Sequence, residues 1–312
     1  MEEKKLKILA VQMSAKIADK KTNFSKIKDL IDKNITDNVD VLILPELWPV
    51  GWKPSEFKDL AENFDNSKTV NFLSEIAKKY NTNIIGGSLI SEQGTVNSEQ
   101  NDICSLLSLA PSELRLQVHT PHSSAVHFVT AHRSLYNACP VINRKGELIA
   151  VYEKMHLFSY YGCDEGKYVQ SGENPVLVEI DGIKIGLSIC YDIRFPEIYR
   201  AYRRVGADLL INMAAWPKAR TSHWDTLTKA RAIENQCYMV ALTQCGLLEG
   251  DEWNSGHSRI IDYNGEIISE LQEDEGIMCT EIKFEEMYKF REKCTVLLDI
   301  HDKYEVKWKM ES

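Results

Sequence analysis

The 312-residue sequence contains no apolar run of membrane-spanning length. Its N-terminus, MEEKKLKILAVQM, passes from charge straight into a strand pattern, without the apolar core or small-residue cleavage site of a signal peptide. A cytoplasmic protein with no membrane partner is expected. Positive charge is in deficit: 37 Lys and Arg against 46 Asp and Glu give a formal net charge of −9 at pH 7. That balance argues against a nucleic-acid partner, which usually demands a basic face. The eight cysteines show no CxxC or other metal-finger spacing and read as thiols. No Pro- or Ser-rich linker and no solenoid-length repeat divides the chain, so residues 1–312 read as a single domain.

What is present is a hydrophobic fraction of 44 %, ample for a core, laid out as alternating strands and helices. Lys7–Met13 reads as a strand and Asn23–Ile35 as an amphipathic helix with Phe24, Ile27, Leu30, Ile31 and Ile35 on one face. Val39–Leu44 is a continuous apolar run, the pattern of a strand buried on both faces, and it ends at Pro45-Glu46. A helix over Val70–Tyr80 and a strand over Asn83–Ile90 follow, the latter with Gly86-Gly87, where a close approach to the backbone is expected. A hairpin over Cys139–Tyr152 ends at Glu153-Lys154. A second hairpin, Val176–Ile180 with Ile183–Ile189, turns at Asp181-Gly182. Helices over Pro196–Val205 and Ser222–Gln236, strands over Asp208–Met213 and Tyr238–Gln244, a hairpin about Asn264-Gly265, a strand over Gly276–Lys283 and a helix over Phe284–Lys289 complete the pattern. Hairpins interrupting the strand–helix rhythm imply α/β layering with mixed sheets rather than one doubly wound sheet.

Residues 91–134 break that rhythm. The segment opens polar, turns apolar and then carries His119, His122, His127 and His132. Their irregular spacing does not suit zinc, and a solvated, largely irregular insertion is expected.

The most informative stretch is Leu187–Arg200, LSICYDIRFPEIYR. A β-branched apolar run ends at Cys190, and Pro196-Glu197 suit the first turn of a helix. Cys190 therefore stands at a sharp strand-to-helix turn, where a side chain can be presented into a cleft. Taken alone it reads first as a buried structural cysteine, the commoner place of a free Cys, and the rest of the chain has to overturn that reading. The other seven cysteines, Cys163 among them, lack this setting and read as packing or surface residues. Glu46 and Lys154 also stand just past apolar strands. Singly, one is a helix-start acid and the other a surface lysine. Together the three make a set for acyl transfer: a nucleophilic thiol, a carboxylate to take its proton, and an ammonium to stabilise an oxyanion.

LILPELW around Glu46, YEKMHLF around Lys154 and ICYDIRFPE around Cys190 resemble, in this order, the Glu–Lys–Cys motifs of the nitrilase superfamily of carbon–nitrogen hydrolases. The AAWP stretch at Ala214–Pro217, His223-Trp224, ARAIENQ at Ala230–Gln236 and Gly256-His257-Ser258 extend the resemblance, which is finest to the omega-amidase and 2-oxoglutaramate amidase branch. The resemblance implies a four-layer αββα sandwich of two mixed sheets, no cofactor or metal, and a homodimer or higher homo-oligomer. The Pro196–Val205 helix, with Ile198, Tyr199 and Tyr202, is expected at the subunit contact. It further implies a catalytic role for Glu165, which lies in EGKYVQSG like the family's additional glutamate. Hydrolysis of a small carboxamide through a Cys190 thioester is the reaction implied. Arg194 is the candidate for an anionic substrate end, against a helix-start salt bridge to Glu197 or Asp192. Tyr191 and Trp216 are candidate pocket walls. N-carbamoyl amidohydrolase or nitrilase chemistry on the same triad, a non-catalytic interaction protein on this scaffold, and a Cys–His peptidase using His223 or His257 remain alternatives. Residues 91–134 have no family equivalent.

Overall fold

Strand β1 (Lys5–Gln12) fixes the layering. Its side chains alternate between two cores: Leu6, Ile8 and Ala10 enter one, Leu9 and Val11 the other, as the period of two in a strand requires. In this computed structural model, which describes residues 4–35, 38–94, 133–160, 163–301 and 304–308, β1 is followed by β2 (Val41–Ile43), β3 (Asn83–Ile85), β4 (Leu89–Gly94), β5 (Arg133–Ile142) and β6 (Leu148–Glu153). β1, β2 and β3 run parallel; β3 and β4 share one edge of β5, and β6 pairs antiparallel with it. A second sheet is built from β7 (Leu177–Ile180), β8 (Ile183–Ile189), β9 (Leu209–Ala214) and β10 (Tyr238–Thr243). After a two-stranded ribbon, β11 (Leu247–Glu249) and β12 (Glu252–Trp253), the same sheet is extended by β13 (Arg259–Ile261) and β14 (Ile267–Glu270). The last strand, β15 (Gly276–Lys283), returns to the first sheet, antiparallel to β1.

The facing surfaces of the two sheets share one core, in which Ile8, Ile43 and Val141 meet Ile185, Ile211 and Val240. Helices Lys20–Asn34 and Lys68–Tyr80 cover the outer face of the first sheet with Ile27, Ile31, Leu73 and Ala77. Helices Pro196–Arg204 and Thr221–Asn235 pack on the second with Ile198, Tyr199, Trp224 and Ala232. This is the αββα sandwich. Asp181 and Gly182 both have positive φ, 50° and 76°, as the expected two-residue hairpin turn requires. Gly87, at φ +67°, lies so close to the Pro45 carbonyl that a Cβ would stand 2.2 Å from its oxygen. The close approach expected at Gly86-Gly87 is therefore to the segment that carries Glu46.

Two expectations need correction. Ser91–Gly94 and Arg133–Ser134 are not part of an irregular excursion: Gln93 pairs with Ser134 and Gly94 with Arg133, continuing the β4–β5 ladder. The remainder of the insertion, with its four histidines, lies outside the described residues. Ile198, Tyr199 and Tyr202 are buried within the chain, with the Tyr199 hydroxyl 2.6 Å from Ser188 Oγ. An amphipathic helix shows which face is apolar, and here that face is taken by the chain's own second sheet.

Candidate active site

Glu46, Cys190 and Ala215 each stand just past the carboxyl end of a parallel strand, β2, β8 and β9 respectively. In layered α/β structures ligands collect at that edge. Lys154 stands just past β6. Cys190 is at φ +47° and Leu47, next to Glu46, at +49°. Left-handed backbone at non-glycine residues costs on the order of 1–3 kcal/mol each and persists only where surrounding structure over-determines it. It turns the chain sharply enough to aim both side chains inward.

Glu46, Lys154 and Glu165 are buried, and Cys190 is only 7 % exposed. Lys154 Nζ donates to Glu46 Oε1 at 3.0 Å and to Glu165 Oε2 at 2.9 Å. One ammonium thus lies between two carboxylates. The second Glu46 oxygen accepts the Ala215 N–H at 2.7 Å; Glu165 Oε2 also accepts the Phe158 N–H at 2.8 Å. Trp52 places its ring 5.6 Å from Lys154 Nζ. Lys154 is therefore no snorkelling surface lysine.

Burial, aided by the Glu165 charge and opposed by Lys154, holds the Glu46 carboxyl above its ordinary range. Burial also pushes the Cys190 thiol well above its usual value, and the neighbouring Glu46 carboxylate adds to the shift. For Lys154 burial acts against the charge, but Glu165 and Glu46 outweigh it and hold the ammonium well above its usual value. The arrangement is a thiol beside a carboxyl group of raised basicity, with a buried ammonium between that carboxyl and a second one.

A cavity of about 250 Å³ opens above Cys190, lined in part by Trp52, Tyr191, Arg194, Trp216 and Leu248. All three expected substrate-binding residues are in its wall. The Arg194 guanidinium carbon lies 4.9 Å from the Trp216 ring centre and 5.7 Å from that of Tyr191, and both terminal nitrogens are 3.4 Å from His223 Nδ1. Among the described residues it forms no ion pair with Glu197 or Asp192, so the helix-start salt bridge is absent. Cys163 packs against the cluster that holds Leu47, Val50 and Trp52, as a packing residue is expected to, and it also lines the cavity. The chain folds back so that Glu165 can reach Lys154, with the Glu165 N–H on the Phe158 carbonyl at 2.9 Å, and this brings Cys163 inward. His257 lines a different groove, with Lys229, Arg259 and Glu270. A carboxylate, not an imidazole, neighbours the thiol. Among the described residues no three His, Cys, Asp or Glu side chains gather to hold a metal ion, and no helix is long and apolar enough to cross a membrane.

Asn137 escaped the sequence reading. Its Nδ2 donates to Glu46 Oε1 at 2.9 Å and to Glu165 Oε1 at 3.1 Å, tying the two carboxylates together. The available signal was an amide inside the apolar run LYNACPVI, a position that burial makes expensive unless the amide serves a purpose, and here its Nδ2 end does so.

The sequence profile of the carbon-nitrogen hydrolase family matches residues 7–292. A 2-oxoglutaramate amidase of Bacillus subtilis is 33 % identical over 278 residues, covering 89 % of this chain and 91 % of that protein. The CN-hydrolase superfamily protein XC1258 of Xanthomonas campestris, whose crystal structure carries an arsenic adduct in the active site, superposes with a TM-score of 0.75 at 27 % identity, covering 97 % of this chain and 100 % of that one. Nit3 of Saccharomyces cerevisiae, from branch 10 of the nitrilase superfamily, shares the fold with a TM-score of 0.72 at 24 % identity over 93 % of this chain and 94 % of that one. With a profile match spanning nearly the whole length and relatives of this kind, the chain belongs to the carbon–nitrogen hydrolase family, within the nitrilase superfamily, and is a hydrolase of non-peptide carbon–nitrogen bonds.

Proposed function

We propose that the enzyme hydrolyses the omega-amide of a small dicarboxylic or 2-oxo acid to a carboxylate and ammonia, through a thioester on Cys190. The observation that carries this reading is the Arg194 guanidinium in the wall of the cavity that opens on Cys190. A cation lining the same cavity as the nucleophile suits a short substrate with an anionic far end, in a protein whose net charge otherwise repels anions. The 2-oxoglutaramate amidase among the relatives supports the same class.

Glu46 takes the Cys190 proton as sulfur attacks the amide carbon, forming the C–S bond. Lys154 and the Tyr191 backbone N–H receive the developing oxyanion. As the intermediate collapses the C–N bond breaks, and the proton on Glu46 leaves with the nitrogen as ammonia. Glu46 then takes a proton from water, which attacks the thioester. The C–S bond breaks, the acid departs, and the proton returns to sulfur. Glu165 holds Lys154 in place through both halves. Tyr191 and Trp216 wall the substrate and sandwich Arg194. The reaction draws on no cofactor and no metal. The protein works in the cytoplasm as one hydrolase domain, with residues 91–134 as an atypical insertion, and assembles as a homodimer or higher homo-oligomer.

The test is ammonia release from a panel of 2-oxoglutaramate, 2-oxosuccinamate, glutamine, N-carbamoyl amino acids, simple nitriles and propionamide. Carboxylate-bearing amides are expected to lead. Arg194→Ala should raise KM for them about 10- to 100-fold, the worth of a hydrogen bond to a charged group, and leave propionamide nearly unchanged. A preference for nitriles or N-carbamoyl compounds, or an Arg194→Ala variant indifferent to the carboxylate, overturns the substrate assignment.

The pH profile follows from Glu46. A general base works deprotonated, and burial has raised its pKa. The acid limb of kcat/KM should therefore lie above the ordinary glutamate value of about 4.3. Because Lys154 is held charged well beyond its usual range, its deprotonation should not set an alkaline limb. An acid limb at or below the ordinary glutamate value removes Glu46 as the base.

A further inference from the structure

Asp192 is fully buried, and four donors converge on its carboxylate. Oδ2 accepts the Ile189 N–H at 2.8 Å and the Tyr152 hydroxyl at 2.7 Å. Oδ1 accepts the His156 N–H at 2.9 Å and lies 2.7 Å from His156 Nδ1. Their places in the chain are informative. Ile189 immediately precedes Cys190, while Tyr152 and His156 flank Lys154, two residues to either side. We propose that Asp192 is a positioning residue for the hydrolysis: one buried carboxylate that locks the nucleophile turn to the strand end bearing Lys154, and so fixes the spacing of thiol and ammonium. The inference rests on the roles proposed above for Cys190 and Lys154.

The chemistry requires a carboxylate at this position. Backbone N–H groups only donate, and an ionised carboxylate only accepts, with room for four bonds. Asparagine, of the same shape, would turn two N–H bonds toward the donors. The left-handed Cys190 backbone, φ +47°, needs an external hold of this kind. The bond to Asp192 also assigns the His156 proton to Nδ1, and the imidazole is held flat on Phe195, ring centres 3.8 Å apart. Phe195 in turn meets Tyr191 edge-on, so the clamp extends to the cavity wall. A displaced catalytic group loses rate, not ground-state affinity, and a misplacement of about 1 Å can cost roughly a hundredfold.

The test measures kcat and KM separately on the best amide for Asp192→Asn, His156→Ala and His156→Asn, with circular dichroism to establish folding. Asp192→Asn should lower kcat roughly a hundredfold with KM changed less than about threefold. His156→Ala should lower kcat about tenfold, and His156→Asn, whose side-chain N–H stands near the place of Nδ1–H, should restore most of it. Wild-type kcat in Asp192→Asn, a loss confined to KM, or equal defects in the two His156 variants overturns the proposal. If Asp192→Asn does not fold, the His156 pair decides. Turnover persisting in Cys190→Ala would instead sink the underlying mechanism, which separates the two failures.

Discussion

Cys190→Ala is expected to lower turnover by at least about 10⁴-fold, the scale seen when a covalent nucleophile is removed from an intact site. Stability should hardly change. The substitution deletes one sulfur from a buried position, an effect on the order of 1 kcal/mol, and alanine meets the same backbone strain at φ +47°. Sulfur is the atom at issue, because Glu46, Lys154 and Asn137 form their contacts to one another without it. Intact-mass analysis under turnover should show an acyl adduct on the wild-type chain and none on the variant. Since Cys163 opens onto the same cavity, the adduct must be mapped by peptide: it should persist in Cys163→Ala and vanish in Cys190→Ala. Full activity in Cys190→Ala, or an adduct that follows Cys163, would end the assignment.

The residues legible in the sequence share one property: Glu46, Lys154 and Cys190 each stand just past the end of an apolar strand, and although each alone has an ordinary explanation, the three together call for a chemical one. Asn137 lay in the middle of a strand, and its purpose is set by partners 91 and 28 residues away; no local pattern encodes such a meeting. The fold-back that carries Cys163 into the cavity is likewise a consequence of Glu165 reaching Lys154. The strand ends Ser91–Gly94 and Arg133–Ser134 were hidden because polar residues with weak strand propensity are held extended by pairing with β5 and β4, a tertiary effect that overrides local preference. The Pro196–Arg204 helix displayed its apolar face plainly, but periodicity cannot say which surface will cover it. Arg194 was open between a salt bridge and a substrate contact. Two aromatic rings and a histidine decided its orientation, and none of them adjoins it closely enough in sequence to be counted except Tyr191.

Lys154→Met should be the most damaging of the charge changes, in two separable ways. Loss of an oxyanion donor lowers turnover roughly a hundred- to a thousandfold. The structure adds a second effect. Lys154 is the cation between Glu46 and Glu165, all three buried, and Asn137 holds those carboxylates together from the other side. Without the ammonium, two like charges share one dry site. Breaking a buried ion pair by removing one partner destabilises by about 3–5 kcal/mol. The repulsion also drives the carboxyl pKa values up, so one of the two becomes protonated toward neutral pH. A group whose folded pKa is raised stabilises the fold below its unfolded pKa and loses that contribution as pH rises through the folded one. The Lys154→Met protein should therefore become more stable on acidification from neutral pH. Adding Glu165→Gln removes one of the opposed charges and should recover much of the lost stability. It should recover none of the turnover, because no cation faces the oxyanion and Glu46 has lost its partner. Thermal melts across pH, set beside turnover of the single and double variants, separate the structural part from the chemical one. Near wild-type turnover in Lys154→Met would take the ammonium out of the reaction, and the proposed triad with it.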